Sequence, residues 1–258
     1  MTTALITGAS GGIGKAFAEE LAARNNNLVL VARSEEKLHQ LASELQAKHD
    51  IEIDVIVKDL SEAGSTEHVF DYTRNQGITI DTLINNAGFG DYGDFAERDG
   101  ERQMQMIQLN VLALVDLTHK YLPLMRQRRS GDIINIASIA AFQPIPYMSV
   151  YAASKAFVLS FSESLWAENR TLGVRVLCVC PGPIDTNFFT AAKFPPTIAA
   201  KNTQITKVET VVRDTLQGLE RGESVVVSGG LTSHLIPKLS RLVPRRTLVS
   251  VLEKQFKA

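Results

Sequence analysis

The chain holds only two cysteines in 258 residues. They are Cys178 and Cys180, two positions apart in a strand-like run, so both side chains point to one face. That spacing fits neither a disulfide scaffold, a redox Cys-x-x-Cys nor a zinc site, and predicts two reduced, buried thiols. No metal is expected. Net charge is nearly absent as well: 27 Lys and Arg stand against 28 Asp and Glu, a formal balance of −1. No bulk field therefore favours nucleic acid as a partner. No stretch approaches the ~20 apolar residues of a membrane-spanning helix. The longest candidate, Val174 to Val179, is short and interrupted by Arg175. The first residues lack a charged segment followed by a long apolar one, so no secretory signal is expected and a cytoplasmic location is. Internal repeats, low-complexity tracts and linkers are missing too.

What is present is an ordinary globular composition, 45% hydrophobic and 21% charged. The length suits one large α/β domain spanning 1–258. Short apolar runs recur at Ala4–Thr7, Leu28–Val31, Ile53–Val57, Thr82–Asn85, Ile133–Ala137, Val174–Cys180 and Ser224–Val227. Most are β-branched and apolar throughout, as parallel strands buried on both faces are. Helical patterns fall between them, near 12–24, 35–48, 62–75, 100–129, 150–171 and 207–220. Strand alternating with helix predicts a Rossmann-type, doubly wound parallel sheet of about seven strands in three αβα layers. Residues 186–206 have the weakest pattern and read as a flap. Residues 231–258 read as a C-terminal extension.

The first strand runs into Thr7-Gly8-Ala9-Ser10-Gly11-Gly12-Ile13-Gly14. Glycines at 8, 12 and 14 permit a tight turn and let backbone N–H groups approach a phosphate. The helix that follows adds the positive end of its dipole. A glycine cluster alone is weak evidence, but this one sits between a buried strand and a helix, where a pyrophosphate would bind. The second strand ends Val31-Ala32-Arg33-Ser34, with no acid to hold a ribose 2′-hydroxyl. Arg33 and Ser34 suit a 2′-phosphate, hence NADP rather than NAD. The alternative for Arg33 is a solvated surface cation. Asp59-Leu60 end the third strand, where the carboxylate meets an adenine amino group or merely caps the next helix.

Tyr151 and Lys155 lie four apart at the start of a predicted helix and so share one face. A nearby ammonium favours the phenolate and brings a tyrosine toward proton transfer at neutral pH. Ser138 ends a buried strand thirteen residues earlier, where its hydroxyl can steady a substrate oxygen beside Tyr151. A dinucleotide loop joined to a proton relay reads as hydride transfer to or from a carbonyl.

These motifs together resemble the short-chain dehydrogenase/reductase family in its roughly 250-residue form, over nearly the whole chain. The resemblance implies that the glycine loop, including Ser10 and Ile13, binds the cofactor, and that Asp59-Leu60 contact its adenine. It implies that Asn86, Ala87 and Gly88 flank the cofactor after the fourth strand. Asn110 matches a helical asparagine that holds a water in the relay to lysine, and Ser138, Tyr151 and Lys155 match the remaining catalytic positions. Pro181-Gly182-Pro183-Ile184-Asp185-Thr186 matches the loop at the nicotinamide end. There Ile184 would bond the carboxamide through its backbone and Thr186 through its hydroxyl. Lys155 would also bond the nicotinamide ribose. Two features depart from the family pattern. Some NADP-using members carry a basic residue where this chain has Gly11. The segment Gly229–Ala258 holds six Lys and Arg but one acid and runs well past the core.

Phe89, Ile139, Phe142, Tyr147, Gly182, Phe188 and Phe189 follow the matched motifs and are expected to line a hydrophobic substrate site. With no Lys or Arg expected there, a hydrophobic ketone, aldehyde or alcohol is favoured over a keto acid. The chief alternative function is a non-catalytic NADP-binding redox sensor; an epimerase or dehydratase would want a larger C-terminal domain. In the tail, Leu235, Ile236, Leu239, Leu242 and Val243 form one apolar stripe, and Leu248, Val249, Leu252 and Phe256 a second beyond Pro244. The stripes are expected to cover the pocket or another subunit, with contact to a membrane surface as the other reading. The two long predicted helices carry excess apolar surface, so a homodimer or homotetramer is expected.

Overall fold

The fold comes from a computed structural model that describes residues 1–184, 186–199 and 205–257. Asp185, flap residues 200–204 and the terminal Ala258 lie outside the described residues. The strands are β1 (Thr3–Thr7), β2 (Asn27–Ala32), β3 (Ile53–Val57), β4 (Thr82–Asn85), β5 (Gly131–Ile136), β6 (Val174–Pro181) and β7 (Val225–Ser228). All pair in parallel, in the order β3-β2-β1-β4-β5-β6-β7. Connecting them are α1 (Gly12–Ala23), α2 (Glu35–Gln46), α3 (Ser65–Asn75), α4 (Gly100–Ile107), α5 (Leu114–Arg128), α6 (Ser149–Asn169), α7 (Phe188–Ala191), α8 (Pro196–Ala199) and α9 (Val208–Glu220). Two further helices, α10 (Leu231–Leu242) and α11 (Arg245–Phe256), form the tail.

Strand residues alternate between two cores. Ile6, Leu28, Leu30, Ile84 and Ile134 pack beneath α1 and α2 with Phe17 and Leu38. Leu5, Val29, Val31, Leu83 and Ile133 pack on the other face with Leu117, Tyr121 and Met125 of α5. Burial on both faces explains the uninterrupted apolar runs, and each such side chain contributes roughly 1.5–3 kcal/mol. Strand order reverses between β1 and β4, which opens a crevice at the carboxyl ends of the strands, where ligands bind in this architecture.

Three elements differ from their predicted form. The helix predicted over 100–129 is interrupted by a π-helical segment, Gln108–Ala113, between α4 and α5. The helix predicted from 62 begins at Ser65, because Glu62 closes a turn onto Asp59 and Gly64 sits at φ +73°. The tail breaks at Pro244 as expected, since Val243 before it is driven to extended backbone. Its stripes, however, are not alike. Leu252 is buried and Leu248, Val249 and Phe256 are half-buried, whereas Leu235, Leu239 and Leu242 are exposed.

Candidate active site

Loops following β1, β4, β5 and β6 meet at the crevice. In the first, Gly8 holds φ +67° and donates its N–H to the Val31 carbonyl at 2.8 Å. A Cβ on Gly14 would lie 2.3 Å from the Gly8 carbonyl oxygen, so the turn is closed to any side chain there. A Cβ on Gly11 would meet nothing within 4 Å. No side chain caps α1, and Gly11, Gly12 and Ile13 line the crevice at its N-terminus. A glycine cradle on an uncapped helix end fits a pyrophosphate. Ser10 is half-buried within this loop.

The loop after β4 is pinned to the cradle by Thr7, a residue whose role the sequence did not signal. Thr7 Oγ1 accepts from the Asn86 and Ala87 N–H groups at 2.9 and 3.0 Å. Asn86 Nδ2 in turn donates to the Thr7 carbonyl at 2.9 Å. A Cβ on Gly88 would sit 2.9 Å from Asn110 Oδ1 and 3.5 Å from Lys155 Nζ. Asn110, buried in the π segment, binds Phe89 twice, through its N–H at 3.1 Å and its carbonyl at 3.0 Å. Its amide also reaches Ser154 Oγ at 3.2 Å. With the side chain so committed, a relay water would have to be held by the main chain, whose hydrogen-bond ladder a π segment loosens. Beneath these loops Asn85 donates to Asn135 at 2.9 Å and Asn135 to Ser162 at 2.9 Å, a buried polar ladder joining β4, β5 and α6.

Ser138 ends the strand β5 region and caps a short 3₁₀ turn, Ile139–Phe142, by accepting from Ala140 N–H at 3.1 Å. Its hydroxyl also faces Tyr151 closely enough to favour the phenolate. Tyr151 lies in the first turn of α6, with Lys155 one turn on, and both are buried. Burial pushes the phenol up to about 12, with the Ser138 hydroxyl pulling the other way. Burial brings the Lys155 ammonium down to about 8. Lys155 Nζ donates to the Ile136 carbonyl at 2.8 Å and lies 5.9 Å from the Tyr151 ring centroid. At neutral pH the pair is therefore a protonated phenol beside an ammonium. Behind them Cys178 and Cys180 are buried, free thiols 3.9 Å apart. The hydrogen bond from Cys178 and then burial push the Cys180 thiol well up.

The loop after β6 closes the crevice. Gly182 N–H donates to the Ser228 carbonyl at 2.8 Å, and a Cβ there would meet Ser233 Oγ at 2.3 Å. Pro181 ends β6, Ile184 bridges to Thr206, and Thr186 Oγ1 accepts from Phe188 N–H at 3.3 Å. Thr186 also stands over the cradle, its Cγ2 being 3.3 Å from where a Gly12 Cβ would be. Arg33, Ser34, Asp59 and Leu60 sit at the ends of β2 and β3, outside the cavity's lining. The Arg33 guanidinium is 78% exposed and 3.6 Å from Asp59. Asp59 does not cap the next helix, which begins at Ser65; its carboxylate closes a local turn by accepting from the Ser61 N–H at 2.9 Å. Burial works to raise its carboxyl, but the Ser61 bonds and Arg33 outweigh it and hold it below the usual range. The Leu60 side chain is buried in the core.

One cavity of about 1050 Å³ runs from the cradle past Tyr151 to an apolar end. Phe89, Ile139, Gly182, Phe188 and Phe189 line it, as expected. Phe142 and Tyr147 do not: Phe142 packs inward with Leu114 and Val158, and Tyr147, at φ +65°, lays its ring against Tyr92. Ile145, Phe194 and the tail residues Ile236, Leu252 and Phe256 complete the wall. The Tyr92 hydroxyl donates to the Phe256 carbonyl and fastens α11 there. Two cations do stand near the pocket, but a fully buried Asp91 engages both. Arg98 grips it at 2.6 and 2.7 Å and Arg102 at 3.0 Å. Burial works to raise the Asp91 carboxyl, yet the two guanidiniums hold it below the usual range.

The chain as a whole is similar to known proteins. The family model described as short chain dehydrogenase covers residues 2–194. The chain belongs to the short-chain dehydrogenase family. A very-long-chain 3-oxoacyl-CoA reductase of Anas platyrhynchos is 38% identical over 74% of this chain and 62% of its own length. The chain thus spans under two thirds of that relative. Among solved structures, a short-chain dehydrogenase from Sphingobium yanoikuyae in complex with NADPH is 35% identical, with a TM-score of 0.82 over 88% of this chain and 87% of that one. The bulky-bulky ketone specific alcohol dehydrogenase from Comamonas testosteroni is 33% identical, with a TM-score of 0.80 over 97% and 94%. Solved short-chain dehydrogenases in complex with NADPH and with NAD both resemble this chain, so a nicotinamide cofactor is supported.

Proposed function

We propose that the protein is an NADPH-linked oxidoreductase that reduces the ketone or aldehyde of a hydrophobic small molecule, or oxidises the matching alcohol. One observation carries this reading: Ser138, Tyr151 and Lys155 converge on a single cavity that joins a pyrophosphate cradle to an apolar chamber. When bound, the cofactor exchanges hydride with the carbonyl carbon and, in its oxidised form, brings a positive charge beside the phenol. Tyr151 Oη gives the carbonyl oxygen its proton in reduction and takes it back in oxidation. Lys155 stabilises the phenolate left behind and would bind the nicotinamide ribose. Ser138 orients the carbonyl oxygen, and Asn110 keeps the Phe89 loop in place above them. The cradle would hold the pyrophosphate, Thr186 and the Ile184 backbone the carboxamide, and Asp59 the adenine.

Preference for NADPH rests on Arg33, which is exposed at the end of β2, a strand end that carries no acid of its own, and whose one carboxylate neighbour is Asp59 from the end of β3. A charge-assisted bond to the 2′-phosphate contributes about 1.5–3 kcal/mol, or roughly ten- to a hundredfold. The apolar chamber supports a hydrophobic substrate, as do relatives named for very-long-chain acyl and bulky ketone substrates. Arg98 and Arg102 are held by Asp91 rather than left for a substrate carboxylate. The redox-sensor alternative gains nothing from the comparisons, and a sensor has no use for a buried proton relay. A panel of ketones, aldehydes and alcohols, followed by absorbance of the reduced nicotinamide with each cofactor, tests the reading. Turnover of bulky ketones with NADPH supports it; turnover only of small keto acids, or none, overturns it.

A further inference from the structure

The tail helices use their apolar residues in opposite ways. Leu252, with Phe256 beside it, faces the cavity from α11. On α10, by contrast, Ser233 is the buried residue, and Leu231, Leu235, Leu239 and Leu242 are 80%, 49%, 51% and 80% exposed. At 100° per residue these four fall within a narrow arc on the side opposite Ser233. Four leucines in one outward row cost free energy in water and mark a surface that meets something apolar.

The surrounding charge says what. Lys238 and Arg241 flank the row on the same helix, both exposed, and Arg245, Arg246, Lys254 and Lys257 follow on α11, exposed too. Glu253 is the lone acid in 231–258. Among the described residues, none of the six cations is paired with a carboxylate. A second copy of this chain would bring the same cations face to face. An anionic lipid surface accepts both features, leucines among the acyl chains and cations at the headgroups.

We propose that α10 docks the protein on anionic membrane surface, with Leu231, Leu235, Leu239 and Leu242 inserted and Lys238 and Arg241 at the headgroups. The side of α10 next to Leu239 supplies Thr232 and Ile236 to the cavity wall, so docking sets the apolar chamber beside the lipid. The attachment is peripheral, since no described helix is long and apolar enough to cross a membrane.

Sedimentation of the full-length protein with vesicles tests this, using phosphatidylcholine alone and an equal mixture with phosphatidylglycerol. The protein should pellet with the mixed vesicles, fail to pellet with phosphatidylcholine alone, and be released by salt. Each cation near the surface is worth about fivefold, so Lys238→Glu with Arg241→Glu should weaken binding at least ~25-fold. Leu235→Ser with Leu239→Ser should weaken it about tenfold or more. Both variants should keep wild-type NADPH affinity and melting temperature, which separates this proposal from failure of folding or of the oxidoreductase reading. Equal pelleting on neutral vesicles, no pelleting on anionic ones, or indifference to the charge reversal would overturn it. So would a fall in molar mass without vesicles on the leucine substitutions, which would assign the row to self-association.

Discussion

At neutral pH the buried Tyr151 phenol keeps its proton and the buried Lys155 amine its charge, and this pairing sets how the site responds to pH. Lys155 is drawn down from 10.5 to about 8, so below that value it is an ammonium that favours the phenolate, and above it that help is lost. The kcat/KM for carbonyl reduction should therefore hold up to about pH 8 and fall above it. A profile that stays flat across that value would contradict the role given to Lys155. At the other end of the site, Arg33→Ala should cost roughly ten- to a hundredfold in NADPH affinity and leave NADH affinity nearly unchanged, as read by titration calorimetry. An unchanged preference would remove Arg33 from the cofactor site. Tyr151, Lys155 and Ser138 were legible in the sequence because they follow a glycine loop in one order; a Tyr-x-x-x-Lys spacing alone is common by chance. Thr7, Asn135 and Ser162 were not, because a buried hydroxyl or amide carries no periodic mark. Only the register that sets Asn85 beside Asn135 shows the ladder they serve.

Elements were legible where the pattern is strong and obscure where a local bond overrides it. All seven strands lie at or within a residue or two of their predicted places, because the inner ones are buried on both faces and the edge strands β3 and β7 are still short, apolar runs. The π segment at Gln108–Ala113 leaves no trace in apolar spacing, yet it puts Asn110 against Phe89. Periodicity likewise found both tail stripes but not which one faces inward, a matter settled by packing against the rest of the chain. Two substitutions test elements. Gly14→Ala places a methyl 2.3 Å from the Gly8 carbonyl, so the cradle must shift. We expect at least a ~10-fold loss of cofactor affinity by fluorescence titration, with a stability loss of about 1–3 kcal/mol. Phe256→Ala removes an aromatic wall from the chamber and should raise KM for a bulky ketone about tenfold while cofactor affinity holds. Unchanged KM would show that α11 does not bound the substrate.

The molecule as a whole is a sheet with its chemistry at one edge and apolar surface left over elsewhere. Met104, Leu112, Leu124 and Phe157 are exposed on α4, the π segment, α5 and α6. We expect these helices to pair across two-fold axes, giving a dimer or tetramer mass by light scattering at micromolar concentration. A monomer would refute that expectation without touching the site. The central claim is that one cavity joins a dinucleotide cradle to a proton relay ending at Tyr151, and a single comparison addresses it. The kcat of wild type and Tyr151→Phe should be measured with NADPH on a ketone drawn from the panel, alongside NADPH affinity for both. The account predicts a loss of roughly 10²–10⁴-fold in kcat with affinity retained. A variant that keeps half of its turnover would contradict it.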